Sequence, residues 1–351
     1  MIFKKNFRTV RKQGIFTLML VKTIAVLTSG GDSPGMNPAV RAVARTAIQK
    51  GIRVFGFLNG FQGILDDDLL ELGQRTLAGL LDRGGTFLQS SRCKAFYTEE
   101  GRLQAVRKLR DHRIDGLVVI GGDGSLRGAL ELSRYGVPVI GLPGTIDNDI
   151  FGTELGIGVD TTSNTIISMI DKIKDTARSH RRCFLIEVMG RNSGYLALTT
   201  AITTGAEVAV IPEYRYNMGR ILGLMESRYR NRLNDSIIIL AEGVCDAESF
   251  TRQMREAAGD NLKQEIRRTV LGYVQRGGSP SHADRLMASQ MGEFATLALL
   301  QGEHGSLVGL NKGRLTLVDL EKVCSSKKSL PMEKLRLARN LGIEIGDPVE
   351  V

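Results

Sequence analysis

The sequence predicts an α/β protein with mostly parallel sheets and two domains. From Lys22 onward, apolar runs of strand length alternate with stretches of helical periodicity, which is the pattern of βαβ units. The length of 351 residues suits two domains that each bury a core, and two lobes leave room for a cleft between them.

Eight apolar runs of strand length can be recognised along the chain. They lie at residues 23–27, 53–58, 117–120, 138–142, 183–188, 207–211, 236–241 and 269–274. Helical stretches lie between most of them, for example at residues 126–135 and 161–177. Within the latter, Ile166, Ile170 and Ile173 recur at helical spacing, which indicates a face that packs in a core.

The net charge of +9 raises the question of a nucleic-acid partner, but its distribution argues against one. Five of the nine excess positive charges lie within residues 1–20, which contain no acidic residue. The remainder of the chain is mildly basic, which suits small anionic substrates. We therefore expect no nucleic-acid partner.

Hydropathy and cysteine spacing bear on location. No apolar run reaches the roughly 18 to 20 residues of a membrane span, so we expect no membrane partner. Residues 1–20 lack a signal-peptide cleavage site and are expected to be a disordered extension or the result of a mis-assigned start, with Met19 as the true initiator. An amphipathic anchor is the alternative. Four widely spaced cysteines indicate neither zinc nor disulfides, which points to the cytoplasm.

Three glycine-rich loops follow predicted strands, at the end of the sheet where open α/β folds bind ligands. The first, at residues 28–38, reads TSGGDSPGMNP. Its glycines allow backbone N–H groups to approach a phosphate, and Asn37 is placed to cap a helix that Pro38 begins. A tight turn without a ligand would give the same pattern, so both interpretations stay open for this loop alone.

The second loop, at residues 121–125, reads GGDGS and follows the apolar run that ends at Ile120. Asp123 lies between glycines and offers a carboxylate with little steric cover. Such a carboxylate suits Mg²⁺ held beside a polyphosphate. An aspartate that only stabilises a turn is the alternative.

The third loop, at residues 143–149, reads PGTIDND. In an extended backbone, Asp147 and Asp149 would point to the same side, about 7 Å apart. Two like charges at that distance need a nearby cation to stay ionised. The loop therefore predicts a metal-assisted site with a carboxylate base, and aspartates that only cap backbone amides in turns are the alternative.

These three loops, in this order and spacing, resemble the signatures of the bacterial phosphofructokinase family. So do the segments EVMGR at 187–191, AEG at 241–243 and LGYVQRGGSP at 271–280. The resemblance implies two Rossmann-like αβα-sandwich domains with the active site in the cleft between them. It places an ATP-binding domain at residues 21–158 and 275–325, and a sugar-phosphate-binding domain at 159–274 and 326–351.

The resemblance also implies transfer of a phosphoryl group from ATP to the 1-hydroxyl of fructose 6-phosphate, with Mg²⁺ as cofactor. Asp147 would be the general base, with Thr145 and Asp149 beside it. Arg191 and Arg92 would face the transferring phosphoryl group. The implied ATP-site residues are Gly31, Arg92, Cys93, Gly122, Asp123, Gly124 and Ser125, of which Asp123 would hold the metal.

Arginines suit the sugar phosphate because the guanidinium group matches phosphate geometry, although an arginine taken singly is more often a solvated surface charge. The implied substrate residues are Thr145, Ile146, Asp147, Arg182, Met189, Gly190, Arg191, Glu242, Arg267, Tyr273 and Arg276. By the resemblance, Arg182 and Arg267 reach in from a neighbouring subunit, which implies a homotetramer. Tyr273 stands where the family often has histidine.

Two positions indicate the phosphoryl donor. Family members that use pyrophosphate carry Asp at the position of Gly124 and Lys at that of Gly144, because the acid repels a nucleotide's α-phosphate and the lysine grips pyrophosphate. The two glycines therefore favour ATP. The alternatives are a pyrophosphate-dependent member and, more distantly, an NAD or lipid kinase with a GGDG loop; a non-catalytic paralogue would have lost Asp147 or Asp123.

The allosteric site implied by the resemblance, which binds ADP or phosphoenolpyruvate, is only partly present. Arg41, Arg45 and Glu207 match the family pattern. The positions that depart from it, mostly by losing positive charge, are Gln74, Lys174, Asn231, Leu233 and Asp235. We therefore expect weak or absent control by these effectors.

Overall fold

The computed structural model describes residues 21–231, 233, 235–261 and 263–349. The N-terminal extension expected at residues 1–20 lies outside the described residues. Two sheets carry the architecture, and each is flanked by helices on both faces.

The elements follow in chain order. Up to residue 143 they are β1 (Thr23–Ser29), α1 (Met36–Gln49), β2 (Arg53–Phe57), α2 (Phe61–Asp66), β3 (Leu69–Glu71), α3 (Glu99–Asp111), β4 (Gly116–Gly121), α4 (Asp123–Arg134) and β5 (Val139–Pro143). The next are α5 (Val159–His180), β6 (Cys183–Val188), α6 (Tyr195–Thr204), β7 (Val208–Val210), β8 (Tyr214–Arg215), α7 (Met218–Arg230), β9 (Ser236–Ala241), α8 (Ala247–Ala258) and β10 (Ile266–Val270). The last are α9 (His282–Leu300), β11 (Ser306–Asn311), β12 (Arg314–Asp319), α10 (Leu320–Ser325), α11 (Met332–Asn340) and β13 (Asp347–Pro348).

The larger sheet has seven strands in the order β12-β11-β5-β4-β1-β2-β3. Its five central strands are parallel, and β3 and β12 pair antiparallel at the two edges. Alternate residues of β1 point to opposite cores, because Ile24 and Val26 pack with α1 and α9 while Ala25 and Leu27 pack with α2, α3 and α4. The predicted α/β sandwich is confirmed.

The smaller sheet is parallel throughout, in the order β10-β6-β9-β7. One face packs against α5, α6 and α11, and the other against α7 and α8. In α5, Ile166 and Ile170 are fully buried and Ile173 packs beside them, so the predicted core face of this helix is confirmed. No helix of the described part of the chain is long and apolar enough to cross a membrane.

The strand predicted at residues 269–274 is placed wrongly. The strand is β10, and residues Gly272–Arg276 form a turn of 3₁₀ helix. Gly272 has a φ of 55°, a left-handed conformation that ends the extended chain. The buried Gln275 then accepts the N–H of Met189 at 3.1 Å, which fixes the turn against β6.

The predicted helix cap at Asn37 is also wrong. Helix α1 begins at Met36 after Gly35, whose φ is 110°, so Asn37 lies inside the first turn. Its buried side chain donates to the carbonyls of Arg83 and Gly84 and accepts the N–H of Phe87 at 2.8 Å. Asn37 thus holds a neighbouring loop rather than the helix end.

Candidate active site

The three glycine-rich loops meet at the carboxyl ends of three neighbouring strands in the centre of the larger sheet. Strand β4 pairs in parallel with both β1 and β5, so the loops that follow these three strands leave the sheet side by side. The loops touch closely: a Cβ atom on Gly121 would lie 2.4 Å from the carbonyl oxygen of Ser29 and 2.5 Å from the hydroxyl of Ser125. Only glycine fits there, which explains the glycine that the sequence places at the end of β4.

A cleft of about 900 Å³ opens over these strand ends. Residues of both expected domains line the cleft, since Arg191 and Glu242 face the glycine-rich loops across it. Of the expected site residues, the cleft brings together Gly31, Arg92, Cys93, Gly122, Asp123, Gly124, Ser125, Thr145, Ile146, Asp147, Asp149, Arg191, Glu242 and Arg276.

The third loop is not extended. Asn148, between the two aspartates, has a φ of 51° in the left-handed region, so the premise of an extended backbone with the two carboxylates side by side is wrong. Asparagine tolerates this conformation better than most residues. Its side chain accepts the N–H of Gly156 at 3.0 Å and donates to the carbonyl of Glu154 at 3.1 Å, which fixes the loop.

Asp147 has the electrostatic character of a general base. Burial, with smaller contributions from the nearby carboxylates of Asp149 and Glu242, raises the pKa of its carboxyl from 3.8 to about 6, while Arg276 and Arg191 oppose the shift. A carboxyl with a pKa of about 6 is mostly ionised at neutral pH and is a stronger proton acceptor than an ordinary aspartate.

Asp149, two residues after Asp147, is a partly buried carboxylate of the cleft. Its Oδ1 atom is buried and has no hydrogen-bond partner among the described residues. Burial and the neighbouring Asp123 raise its pKa, whereas Arg191 and Lys328 lower it. A buried oxygen without a partner needs a donor or a cation when the site is filled.

Asp123 opens helix α4, at the end of the second loop. Its carboxylate lines the cleft and accepts a hydrogen bond from Arg127, one turn later, at 3.1 Å. Together with the unpartnered oxygen of Asp149 in the neighbouring third loop, this gives hard oxygen atoms of the kind that Mg²⁺ prefers. The donor set therefore fits the implied metal.

The first loop is drawn close to an arginine of the far wall. A Cβ on Gly31 would lie 3.1 Å from the guanidinium carbon of Arg276, and Arg276 is 3.9 Å from Asp32. A side chain at position 31 would push the guanidinium of Arg276 aside. Cys93 lines the same region and is buried, which raises the pKa of its thiol, so it remains protonated at neutral pH.

Glu242 holds the opposite wall by accepting backbone N–H groups. It receives that of Gly190 at 3.3 Å and that of Arg191 at 2.8 Å. Arg191 itself has a φ of 53°, so the segment is tightly turned. Met189 is buried in the core. Neither Met189 nor Gly190 lines the cleft, but both come directly before Arg191, which does.

Three expected substrate residues lie away from the cleft. Arg182 and Arg267 both pair with Glu265, at 2.7 and 2.6 Å, on the exposed edge of the smaller sheet. Tyr273 is 78% exposed, with its ring 5.3 Å from the guanidinium of Arg276. None of these three side chains lines the cleft of its own chain.

The expected effector residues are not brought together within one chain. Arg41 and Arg45 lie on α1, against the larger sheet, while Glu207 leads into β7 of the smaller one. Glu207 pairs with Arg228 at 2.7 Å and accepts the N–H of Ile237 at 2.6 Å. Its carboxylate is thus occupied by partners in its own chain.

Sequence reasoning missed three cationic residues near the site. Arg102 and Arg127 line the cleft, and Lys328 lies behind the third loop. The position of Arg127, four residues after Asp123 on a predicted helix, was a usable signal. Lys328 stands in a C-terminal segment without any motif, so nothing in the sequence pointed to it.

The chain matches the family model described as "Phosphofructokinase" over residues 23–299. The chain belongs to the phosphofructokinase family. Among curated phosphofructokinases, the ATP-dependent 6-phosphofructokinases of Halalkalibacterium halodurans and Listeria monocytogenes are 45% and 46% identical over 323 residues, which is 92% of this chain and 100% of each relative. The resemblance inferred from the three loops is thereby confirmed.

Solved phosphofructokinase structures share the architecture. The phosphofructokinase of Saccharomyces cerevisiae superposes with a TM-score of 0.80 at 35% identity, over 93% of this chain and 48% of that one. A pyrophosphate-dependent phosphofructokinase from Marinobacter aquaeolei gives the same TM-score at 20% identity, over 94% of both chains. The latter likeness shows the fold alone.

Proposed function

We propose that this protein is an ATP-dependent 6-phosphofructokinase, which transfers the γ-phosphoryl group of ATP to the 1-hydroxyl of fructose 6-phosphate. The observation that carries the proposal is the cleft in which a carboxyl with a raised pKa, Asp147, lies beside glycine-rich loops at the carboxyl ends of parallel strands. The names of the bacterial relatives support the same donor and acceptor.

In the proposed mechanism, Asp147 accepts the proton of the sugar hydroxyl as that oxygen attacks the γ-phosphorus, and the bond from the γ-phosphorus to the β,γ-bridging oxygen breaks so that ADP leaves. Thr145 supports the loop, since its hydroxyl oxygen accepts the N–H of Asp147 at 3.2 Å. A positioned base contributes about 10² to 10⁴ in rate. Arg191 and Arg92 face the cleft and stabilise the charge that spreads over the transferring group.

The nucleotide would bind over Gly31 and residues 122–125, where backbone N–H groups and the N-terminus of α4 favour phosphate. Asp123 would hold Mg²⁺, which when bound neutralises charge on the phosphates of the donor.

The sugar phosphate would bind between Thr145–Asp147 of the third loop and the wall formed by Arg191 and Glu242. Arg276 approaches the same space from the 3₁₀ turn. Because Arg182 and Arg267 lie on an exposed edge, we propose that they complete the site of a neighbouring subunit in a homotetramer. Exposed Val270 and Val274 on the same edge support such a contact.

We further propose the domain division expected from the sequence, with residues 21–158 and 275–325 as the ATP-binding domain and residues 159–274 and 326–351 as the sugar-phosphate domain. The division is supported by the two sheets, each of which draws its strands from one of these regions apart from short β8 and β13, which pair with each other. We place the enzyme in the cytoplasm, where its proposed substrates are found.

One coupled assay tests the proposed function. Purified protein is supplied with fructose 6-phosphate and either Mg-ATP or Mg-pyrophosphate, and formation of fructose 1,6-bisphosphate is followed. The proposal expects turnover with ATP and at least a hundredfold less with pyrophosphate. Turnover with pyrophosphate alone would overturn the donor assignment, and no turnover with either donor would overturn the proposed activity.

A further inference from the structure

Lys328 joins the C-terminal part of the chain to the loop that carries the proposed base. It lies between α10 and α11, and its ammonium group donates to the side-chain oxygen of Asn148 at 2.8 Å and to the carbonyl of Glu154 at 3.0 Å. The side chain is largely buried, and burial lowers the pKa of its amine to about 8, while Asp149 and Glu154 oppose the shift.

Asn148 is the point at which the third loop is held. Its left-handed backbone turns Asp147 and Asp149 into their positions, and its side chain is bonded to Gly156 and Glu154. Lys328 adds a charged donor to the same amide oxygen. A charged donor gives a stronger hydrogen bond than a neutral one, so Lys328 adds a strong contact to those that the loop makes itself.

The far end of this segment is held as well. The carboxylate of Glu154 accepts the N–H of Lys312, in the turn between β11 and β12, at 2.7 Å. The segment from Asn148 to Glu154 is therefore held at both ends. Lys328, in the segment that leads into α11, holds Asn148, and the hairpin at the edge of the larger sheet holds Glu154. Without Lys328, the amide oxygen of Asn148 keeps only the N–H of Gly156.

We propose that Lys328 is a positioning residue for the phosphoryl-transfer reaction, which holds the loop bearing Asp147 and Asp149 through the side chain of Asn148. The inference rests on the proposed function. Lys328 does not line the cleft, so we infer that it acts through the third loop rather than by touching substrate. A displacement of a catalytic group by about 1 Å costs on the order of 10² in rate, which sets the scale of the expected effect.

The test compares Lys328→Met with Lys327→Met. Methionine is close to lysine in size but cannot donate, and Lys327 is the exposed neighbour that makes no hydrogen bond or ion pair with the described residues. We expect Lys328→Met to lower kcat by about 10- to 100-fold with a KM for ATP within about threefold of the parent, because the nucleotide loops are untouched. Lys327→Met should match the parent, and Lys328→Arg, which keeps charged donors, should recover most of the loss.

A double-mutant cycle with Asn148→Ala separates positioning from a general loss of stability. If Lys328 acts through Asn148, adding Lys328→Met to Asn148→Ala should lower kcat by less than about threefold. A kcat of Lys328→Met within twofold of the parent would overturn the proposal, and so would an undiminished effect in the Asn148→Ala background. Should Lys328→Met fail to fold, Lys328→Leu, which also cannot donate a hydrogen bond, is judged by the same two criteria.

The same data keep the two proposals apart. A parent and a Lys327→Met variant that both lack activity toward fructose 6-phosphate would refute the proposed function. An active parent with an unaffected Lys328→Met variant would refute only the positioning role.

Discussion

The carboxylate of Asp284 caps helix α5 by accepting the backbone N–H of Thr161 at 2.8 Å, although 123 residues separate them. It also accepts the N–H of Gly158 at 2.8 Å and the hydroxyl proton of Thr161 at 2.5 Å. The residue at the N-cap, Gly158, has no side chain to do this, so an aspartate of α9 supplies the cap from outside the helix. The contact joins the two sequence regions whose sheets flank the cleft.

Replacing Asp284 should therefore destabilise the whole fold. Asp284 is fully buried, and Asp284→Ala leaves two N–H groups and a hydroxyl without their partner. We expect a loss of about 3 kcal/mol in the free energy of unfolding, measured by urea denaturation. Asp171→Ala, at an exposed position of the same helix, should change it by less than about 0.5 kcal/mol. Equal stabilities of the two variants would contradict the capping role.

Asp147→Asn should separate catalysis from stability. Asparagine keeps the size of the side chain but cannot accept the proton, so kcat should fall by about 10² to 10⁴. Because the folded protein raises the pKa of Asp147, its ionised form costs folding free energy above the pKa of the unfolded chain. At pH 8 the variant should therefore be at least as stable as the parent in thermal unfolding. A variant that makes fructose bisphosphate at the parent's rate would exclude Asp147 as the base.

The pH dependence of kcat/KM should report the raised pKa of Asp147. The base must be ionised, so activity should fall as the pH drops through about 6. Phosphate monoesters also titrate near pH 6, so the substrate contributes to the same limb. The diagnostic comparison is Glu242→Gln, which removes a carboxylate that raises the pKa of Asp147 and should move the limb to lower pH. A limb at the same pH in both proteins would show that the substrate alone sets it.

The sequence was sufficient for the elements whose residues carry their own signal. Strand β4 is apolar throughout and ends in glycines, and the helical spacing of Ile166 and Ile170 in α5 needs no partner to be recognised. The glycine-rich loops also predicted the position of the cleft, because parallel neighbouring strands bring their carboxyl-end loops together.

What the sequence did not predict depends on contacts between distant parts of the chain. Asn37 satisfies the usual rule for a helix cap, yet its amide is drawn to a loop some 50 residues away. The left-handed Asn148 is stabilised by Lys328, 180 residues later. Strands β11 and β12 were not predicted from the sequence, because they follow the last motif and pair as an edge hairpin. Local propensity cannot anticipate such partners.

Phosphoenolpyruvate should have little effect on this enzyme. The carboxylate of Glu207 is held by Arg228 and by the N–H of Ile237, and several cations expected in an effector site are absent from the sequence. We expect low-millimolar phosphoenolpyruvate to shift the half-saturating concentration of fructose 6-phosphate by less than about twofold. Initial rates over a range of sugar-phosphate concentrations, with and without the effector, measure this. A strong shift would mean that Arg228 yields Glu207 to the ligand.

Gly124→Asp should abolish the use of ATP without disturbing the fold. A Cβ at Gly124 has no atom within 4 Å, so the new side chain enters the cleft freely. Gly144 offers no such clean test, because a Cβ there would lie 3.0 Å from both Ile120 and Met36. A carboxylate at position 124 would face the α-phosphate of the nucleotide, and like charges in contact cost several kcal/mol. We therefore expect kcat/KM for ATP to fall by at least about a hundredfold, since each 1.4 kcal/mol is tenfold.

Gly124→Asn is the matched control, because asparagine has the same size as aspartate without its charge. If charge repulsion decides the donor, the Asn variant should keep at least about tenfold more activity with ATP than the Asp variant, at equal thermal stability. Equal losses in the two variants would mean that bulk at position 124 excludes the nucleotide. Undiminished ATP turnover by Gly124→Asp would remove this glycine from the argument for the donor altogether, and the preference for ATP would have to be sought elsewhere in the cleft, beginning with Arg127 and Arg102.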